Sequence, residues 1–362
     1  MLKKIAFAVL MFAAAPALAD VKVAAVGPMT GSVASTGEQL RHGSEMAVAD
    51  INAKGGVLGQ KLNLEVADDV CDPKQAVAIA SRLVAQGDVF VSGHYCSGSS
   101  IPASPIYAEE GVVQISPGST NPQLTEQGFP TTFRVCGRDD QQGPVAAHYI
   151  LDHYKGKKIA VLDDKTAYGK GIAAQVEQVL TQSGQAPALR ESYNVGERDF
   201  NAIVSRMKQA DIDVVYIGGV HAEAALIVRQ MRGQGLKAQM IGGDDLVTSE
   251  FWSITGVAGE GTLITFGPDP RNNPEAADLV ARFRKAGYEP EGYTLYAYAA
   301  FQAWAQAAEQ AKSVKGDKVA AALHSGTFDT VMGKLSFDDK GDVKAPTYII
   351  YQWTNGKLVE AK

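Results

Sequence analysis

Strand-like runs alternate with helical stretches along nearly the whole chain, and this alternation restricts the fold more than any other feature. Residues 21–26 form a β-rich run, residues 37–53 carry apolar side chains at helical spacing, and residues 62–66 return to strand-like alternation. Strands that alternate with helices build a parallel sheet that is covered by helices on both faces. The sequence therefore predicts an α/β fold.

The same series begins again in the second half of the chain, with predicted strands at 159–162, 214–217 and 262–266. In both series the first strand leads through a loop to a glycine, Gly37 or Gly169, and then to a helix. Ligands of open parallel sheets bind outside the carboxyl ends of the strands. We therefore expect two doubly wound parallel-sheet lobes whose loops face one cleft.

The first nineteen residues predict a signal peptide. Lys3 and Lys4 precede a largely apolar run at 5–16, and Ala17-Leu18-Ala19 then gives the small-x-small pattern that a signal peptidase accepts. A membrane anchor is the alternative, but the run is short for a bilayer span and charged, alternating sequence follows it. We expect cleavage after Ala19 and a mature protein in the periplasm.

Three cysteines, Cys71, Cys96 and Cys136, become informative if the chain is exported. An oxidising compartment permits one disulfide and leaves one thiol. Cys71 and Cys96 each follow a predicted strand, and adjacent strand ends can bring two Cα atoms within bridging distance. We predict a Cys71–Cys96 disulfide and a free Cys136. A metal site that uses a cysteine and His94 is the alternative, although the spacing is not that of a zinc site.

Motifs for catalysis and for nucleotide binding are missing from the sequence. It contains neither a Gly-x-Ser-x-Gly elbow nor a phosphate-binding loop. Residues 169–174 loosely match a dinucleotide fingerprint, but six residues separate Leu162 from Gly169, which favours an ordinary helix start. With a formal charge of −6 and no basic cluster among aromatics, nucleic acid is not an expected partner. We expect no enzyme activity, no cofactor and no metal.

Two hydroxyl-rich turns, at 93–100 and 116–122, follow neighbouring predicted strands. Ser97 in the first turn fits two roles, because it can cap the following helix or bind a carboxylate at the helix N-terminus. Ser119 in the second turn would belong to the same small polar pocket. Acidic pairs such as Asp244-Asp245 also end predicted strands, either as cleft residues or as solvated loop residues.

Four stretches, in their order and spacing, resemble the Leu/Ile/Val-binding proteins, which are type I periplasmic binding proteins of amino-acid ABC importers. The stretches are ADINAKGG at 49–56, CDPKQA at 71–76, GRDDQQG at 137–143 and FGPDP at 266–270. The resemblance covers essentially the whole mature chain and is especially close to the subgroup that binds short amino acids, including GABA and proline. The family disulfide also matches Cys71–Cys96.

The resemblance implies two lobes joined by a hinge that the chain crosses three times. The expected division places 20–138 and 268–346 in lobe 1, and 139–267 and 347–362 in lobe 2. The implied function is the substrate-binding component of an ABC importer, a monomer that captures an α-amino acid by lobe closure and delivers it to a membrane-embedded permease. A periplasmic sensory protein for amino acids or related carboxylates shares the fold and is the alternative.

The resemblance also implies a role for each ligand-binding residue. Ser97 and Thr120 would hold the ligand carboxylate, while the backbone of Gly118 and the Thr120 hydroxyl would meet the amine. Asp244 would face the ammonium from the second lobe. Tyr168 and Tyr293 match aromatic cleft positions.

Four positions depart from the family pattern. Thr36 and Val220 stand where tyrosine is frequent, and Tyr95, which matches a side-chain pocket wall, stands where leucine-selective proteins commonly have leucine. Asp244 replaces a frequent glutamate. The shorter aspartate predicts a different reach toward the ligand, and the departures at Thr36, Tyr95 and Val220 predict a broader or smaller-ligand preference than leucine.

Overall fold

Two β-sheets with their helices organise the computed structural model of the chain, which describes residues 19–361. Apart from its last residue, the predicted signal peptide at 1–19 lies outside the described residues. Within the described part of the chain, helices of the length and apolarity that a bilayer crossing needs are absent.

The first sheet has five parallel strands in the order β2-β1-β3-β4-β5. Its strands are β1 (Val21–Gly27), β2 (Leu62–Asp68), β3 (Phe90–Gly93), β4 (Val113–Ser116) and β5 (Thr132–Arg134). The inner strand β1 is buried on both faces, as its run of small and β-branched apolar residues predicts.

The second sheet has seven strands in the order β14-β13-β10-β9-β8-β6-β7. Its strands are β6 (Ile159–Asp163), β7 (Leu189–Ser192), β8 (Val214–Gly218), β9 (Gln239–Gly242), β10 (Leu263–Phe266), β13 (Ile349–Thr354) and β14 (Lys357–Glu360). Strands β13 and β14 run antiparallel at one edge, so the expected parallel sheet is a mixed one. A separate hairpin joins β11 (Phe328–Thr330) to β12 (Gly333–Leu335).

Twelve α-helices connect or cover these strands within the described residues. They are α1 (Ala34–Ala53), α2 (Pro73–Gln86), α3 (Ser97–Glu109), α4 (Gln123–Glu126), α5 (Asp139–His153), α6 (Ala167–Gln182), α7 (Asn201–Gln209), α8 (His221–Gly233), α9 (Ser249–Thr255), α10 (Ala277–Lys285), α11 (Thr294–Ala311) and α12 (Gly316–Ser325). Helix α2 shows how the sequence sets its ends, since Asp72 caps the N-terminus and Gly87 ends the helix at φ 85°.

Helices from the last quarter of the chain return to the first sheet. Trp304 of α11 is fully buried and stacks on Phe90 of β3 with ring centroids 4.8 Å apart. The chain therefore passes between the two sheets three times, after β5, after β10 and before β13. The exact residues at which the two lobes divide stay a prediction.

Several boundaries differ from the sequence-based expectation. The sequence predicts a helix at 101–109, but α3 begins four residues earlier, at Ser97, because the hydroxyl-rich turn is its first turn. Helix α10 begins at Ala277 after two short 3₁₀ turns that start at Pro270 and Pro274. Strands β5, β7, β11 and β14 were not expected; they are short, and β7 and β14 lie at sheet edges where apolar alternation is weak.

The predicted Cys71–Cys96 disulfide is present, with a Cα–Cα distance of 5.5 Å, and Cys136 is free and buried. The reasoning from adjacent strand ends was wrong, because β1 lies between β2 and β3 in the sheet. The loop after β2 spans that gap, and Val70 and Cys71 adopt positive φ angles of 45° and 56° there. The bridge therefore ties this loop to the start of α3.

Candidate functional site

A cavity of about 280 Å³ lies at the carboxyl ends of strands from both sheets. Pockets for drug-sized ligands span roughly 300–1,000 Å³, so this cavity suits a smaller molecule. Its lining consists of Ser32, Val33, Val70, Cys71, Asp72, Tyr95, Cys96, Ser97, Gly98, Gly118, Thr166, Tyr168, Val195, Val220, Asp244 and Asp245.

The start of α3 forms one side of the cavity. Cys96 occupies the N-cap position without a side-chain cap bond, and its carbonyl accepts hydrogen bonds from the N–H groups of Ser99 and Ser100 at 2.9 Å. The Ser97 hydroxyl accepts from the Asn121 N–H at 3.2 Å, so it belongs to both polar turns. The first N–H groups of a helix lack partners within the helix and favour an anion.

Gly118 and Tyr95 pack directly against each other in this wall. A Cβ atom at position 118 would lie 2.7 Å from the Tyr95 ring, so only glycine fits beside the tyrosine. Ser119, the next residue, uses its hydroxyl within the lobe, with Ser100 Oγ at 2.6 Å and the Tyr95 carbonyl at 2.9 Å. The Ser119 side chain therefore supports the wall and does not line the cavity.

Arg134, at the end of β5, holds the second polar turn from behind. It is fully buried and donates to the carbonyls of Ser119 at 2.6 Å and Asn121 at 3.0 Å. Its Nε lies 2.7 Å from a carboxylate oxygen of Asp342. The turn that carries Thr120 is thus fixed by a buried cation, which the sequence analysis did not single out.

Asp244 reaches the cavity from the opposite sheet, just after β9. It is 3% exposed, and it accepts hydrogen bonds from the hydroxyls of Tyr168, at 2.9 Å, and Tyr293. Burial raises the pKa of Asp244 above its usual value, although the tyrosine hydrogen bonds act in the other direction. Gly243 makes room for this arrangement, since a Cβ atom there would lie 2.3 Å from the Tyr168 hydroxyl.

The neighbouring Asp245 already has a cationic partner. Its Oδ1 accepts from the backbone N–H of His221 and lies 2.8 Å from His221 Nδ1. Burial alone would lower the pKa of His221, but the hydrogen bonds to Asp245 and Glu250 outweigh it and raise that pKa to about 9. Because Asp244 forms no salt bridge within residues 19–361, it is the carboxylate of this pair that is left to meet a cation.

The ion pair between His221 and Asp245 should make the stability of the fold depend on pH. The folded-state pKa of about 9 lies above the usual value of 6.5, so the pair stabilises the fold fully below about pH 6.5. As the pH rises through about 9, a stabilisation on the order of 3 kcal/mol is lost. Urea unfolding at pH 6.5, 8 and 9.5 should show this decline, and His221→Gln should flatten it. If the free energy of unfolding of His221→Gln falls with pH at the same slope as that of the wild type, His221 is not the source of this pH dependence.

Thr120 and Asp139 lie side by side behind the cavity, and both are fully buried. The Asp139 N–H donates to the Thr120 carbonyl at 2.9 Å, but the two side chains form no well-aligned hydrogen bond with each other or with other described residues. Burial, and then the nearby charge of Asp244, holds the pKa of Asp139 well above its usual value. The Thr120 hydroxyl thus keeps hydrogen-bonding capacity beside the cavity.

The structure brings most of the expected site residues to one place. Six of them line the cavity: Ser97, Gly118, Tyr95, Tyr168, Val220 and Asp244. Tyr293 binds Asp244 from behind, and Thr120 is buried next to the wall. Thr36 does not line the cavity; its hydroxyl donates to the carbonyl of Val33, which does.

Ten lining residues were not expected as ligand contacts. They are Ser32, Val33, Val70, Cys71, Asp72, Cys96, Gly98, Thr166, Val195 and Asp245. The hydroxyl-rich turn at 93–100 pointed to the neighbourhood of Cys96 and Gly98, and the paired acids at the strand end pointed to Asp245. The valines lie in loops, where a single apolar residue carries no periodic pattern. Two of these, Val70 and Val195, are 44% and 49% exposed, so they form the rim of the cavity.

His94 is buried among protein groups and is not part of the cavity. Its Nδ1 lies 2.6 Å from an oxygen of Asp69, and its Nε2 lies 3.0 Å from the Tyr107 hydroxyl. Cys71 and Cys96 are joined in the disulfide. Among residues 19–361, no three His, Cys, Asp or Glu side chains gather as a metal cluster.

A larger cavity of about 450 Å³ lies where the three crossing segments meet, at 135–137, 266–270 and 343–348. Of the expected ligand residues, only Tyr293 lines it. It lacks the helix N-terminus and the buried Asp244 that face each other in the smaller cavity. The smaller cavity is therefore the candidate site.

Known proteins match the chain along almost its full length. A family model described as periplasmic binding protein matches residues 20–357. The Leu/Ile/Val-binding protein homolog 1 of Brucella suis is 54% identical over 341 residues, covering 94% of this chain and 92% of that protein. A leucine-, isoleucine-, valine-, threonine- and alanine-binding protein of Pseudomonas aeruginosa is 42% identical over 350 residues, covering 96% and 94%.

Solved structures show the same fold. A leucine-binding protein of Thermotoga maritima superimposes with a TM-score of 0.88 at 28% identity, covering 94% of this chain and 98% of that one. A branched-chain amino acid transporter substrate-binding protein of Streptococcus pneumoniae, solved with isoleucine, gives 0.85 at 26% identity, covering 94% and 97%. These likenesses confirm the predicted architecture of two lobes joined by a three-crossing hinge.

Proposed function

Because the chain belongs to the periplasmic binding protein family, we propose that it is the substrate-binding component of an ABC importer and captures a small neutral α-amino acid between its lobes. One observation carries the proposal. A buried carboxylate, Asp244, has no cationic partner among the described residues and faces a cavity whose opposite wall is the N-terminus of α3.

An amino-acid zwitterion fits this distribution of charge. Burying either of its charges without a partner costs several kcal/mol, roughly. Ser97, the first N–H groups of α3 and Thr120 serve the carboxylate, and Asp244 serves the ammonium through a charge-assisted hydrogen bond. Tyr168 and Tyr293 hold Asp244 at that position.

The two ends of the ligand bind different lobes. The carboxylate side belongs to the first sheet and the ammonium side to the second, so only the closed state completes both sets of contacts. The ligand therefore shifts the population toward the closed state. The closed, loaded protein in the periplasm is the form that delivers the amino acid to the membrane permease.

The remaining lining predicts the kind of side chain that the site accepts. Val33, Val70, Val195 and Val220, with the Tyr95 ring, make an apolar surround. The Brucella suis relative is named a Leu/Ile/Val-binding protein homolog, and the Pseudomonas aeruginosa relative is named for binding leucine, isoleucine, valine, threonine and alanine. We place the ligand of this chain in the same class of small neutral amino acids; the closer likeness to the GABA and proline subgroup stays a prediction.

A thermal-shift screen tests the proposal. The probes are leucine, isoleucine, valine, threonine, alanine, proline and GABA, with glutamate and lysine as charged controls. A ligand at 100 times its Kd stabilises the native state by about 2.7 kcal/mol, so the small neutral amino acids should raise the Tm by several degrees. A screen in which none of them raises the Tm, or in which only the charged amino acids do, would contradict the proposal.

A further inference from the structure

Hydrogen bonds join the two lobes directly beside the cavity. The Tyr95 hydroxyl, on the first lobe, donates to Asp245 Oδ2 on the second lobe at 2.8 Å. Ser35 Oγ of α1 lies 3.4 Å from His221 Nε2 of α8. Tyr95, Asp245 and His221 are all nearly or fully buried, so water does not compete strongly with these contacts.

His221 determines which oxygen of Asp245 faces the other lobe. Both hydrogen bonds from His221 go to Oδ1, and Glu250 holds the far nitrogen of the imidazole at 3.1 Å. Oδ2 is thereby left to accept from Tyr95 across the cleft. The carboxylate is already oriented before the lobes meet, which reduces the entropy lost on closure.

The Tyr95 ring is fixed as firmly on its own side. Gly118 packs under the ring, and the Tyr293 ring meets it edge-on with centroids 5.4 Å apart. Both partners of the contact are therefore held rigidly within their own lobes. Closing or opening the cleft makes or breaks this bond without rearranging either partner.

We propose that Tyr95, Asp245 and His221 form a latch between the lobes that favours closure of the empty protein and so sets the overall affinity of the site. Tyr95 and His221 act here as positioning residues for closure. The proposal rests on the proposed function for its ligand, but it concerns an equilibrium that exists without ligand.

A latch of this kind affects all ligands alike. The apparent Kd equals the intrinsic Kd divided by the fraction of protein in the binding-competent state. Weakening the latch therefore multiplies the Kd of every ligand by one common factor. A residue that only contacts the ligand side chain would instead change one ligand more than another.

Tyr95→Phe is the test variant, because it removes the bridging hydroxyl and keeps the ring. A hydrogen bond to a charged group corresponds to about a tenfold change or more in an equilibrium, so the closed-to-open ratio should fall about tenfold. Small-angle X-ray scattering of the ligand-free protein should then show a larger radius of gyration than in the wild type. The calorimetric Kd values for alanine and for leucine should both rise, and the two ligands should share one factor of increase.

Tyr298→Phe is the matched control. Its hydroxyl also donates to an aspartate, Asp50 at 2.7 Å, but both residues belong to helices packed within the first lobe. The control should leave scattering and both Kd values unchanged.

Two further variants, His221→Leu and His221→Asn, show whether His221 acts by orienting the Asp245 carboxylate or only by filling space. The leucine variant should open the empty protein as Tyr95→Phe does. The asparagine variant keeps a donor toward Asp245 and should recover part of the closed population. Unchanged scattering in Tyr95→Phe, or a Kd ratio between alanine and leucine that shifts, would overturn the latch. If no amino acid binds the wild type, the proposed function fails, while the scattering still decides the latch.

Discussion

Asp244→Asn should lower the affinity for the amino acid by a hundredfold or more and leave the fold intact. The variant leaves the ligand ammonium buried without an opposite charge, and breaking such a pair costs about 3–5 kcal/mol. Asparagine has nearly the shape of aspartate, and its carbonyl can still accept a tyrosine hydroxyl. Calorimetric titration with the best amino acid of the screen measures the loss.

Stability should change in the opposite direction in this variant. Burial raises the pKa of Asp244, so keeping that carboxylate charged costs free energy in the ligand-free protein. Removing the charge should leave the Tm of the ligand-free protein unchanged or higher. A binding group that is costly to the empty fold is typical of a functional site.

Asp50→Asn provides the matched control for Asp244→Asn. Asp50 also accepts a tyrosine hydroxyl, from Tyr298 at 2.7 Å, but it lies on α1 with Arg282 as its ion-pair partner. This change should leave ligand affinity unchanged. Equal losses in both variants, or wild-type affinity in Asp244→Asn, would contradict the role of Asp244.

Arg134→Met should lower the free energy of unfolding by about 3–5 kcal/mol, because it leaves Asp342 and two backbone carbonyls with fewer partners in a buried environment. Amino-acid affinity should also fall, since the turn that carries Thr120 loses its support. Urea unfolding followed by circular dichroism measures the first effect, and calorimetry measures the second.

An exposed ion pair gives the contrast for Arg134. Arg82 pairs with Glu65, and their side chains are 43% and 36% exposed. Arg82→Met should change stability by less than about 1 kcal/mol, because exposed pairs contribute little. If Arg134→Met lowers the free energy of unfolding no more than Arg82→Met does, the buried contacts of Arg134 do not stabilise the turn.

The sequence predicted the alternation of strands and helices well, because apolar runs in buried parallel strands are strong local signals. It could not predict strand order. The disulfide was predicted correctly although β1 separates the two strands that precede its cysteines. The antiparallel pairing of β13 and β14 could not be predicted either, since the direction of pairing depends on the route of the chain and not on local pattern.

For the candidate site too, the sequence predicted some residues and could not predict the roles of others. Polar turns and paired acids pointed to Ser97, Gly118 and Asp244, all of which line the cavity. The distinct roles of Asp244 and Asp245 were not visible, because they depend on His221, which lies 24 residues from Asp245 in sequence. Arg134 was missed for a similar reason, since a lone arginine at the end of a short strand shows no sign of its burial.

If the two lobes bind opposite charges of one zwitterion, a calorimetric cycle with and without the ligand amine will show it. The amino acid that gives the largest thermal shift and its deaminated carboxylic acid are titrated into wild-type protein and Asp244→Asn. We predict that removing the amine weakens binding to the wild type by a hundredfold or more, and that the same removal has little effect in the variant. If the deaminated acid binds the wild type as tightly as the amino acid does, Asp244 does not hold the ammonium and the two lobes do not divide the charges of the ligand.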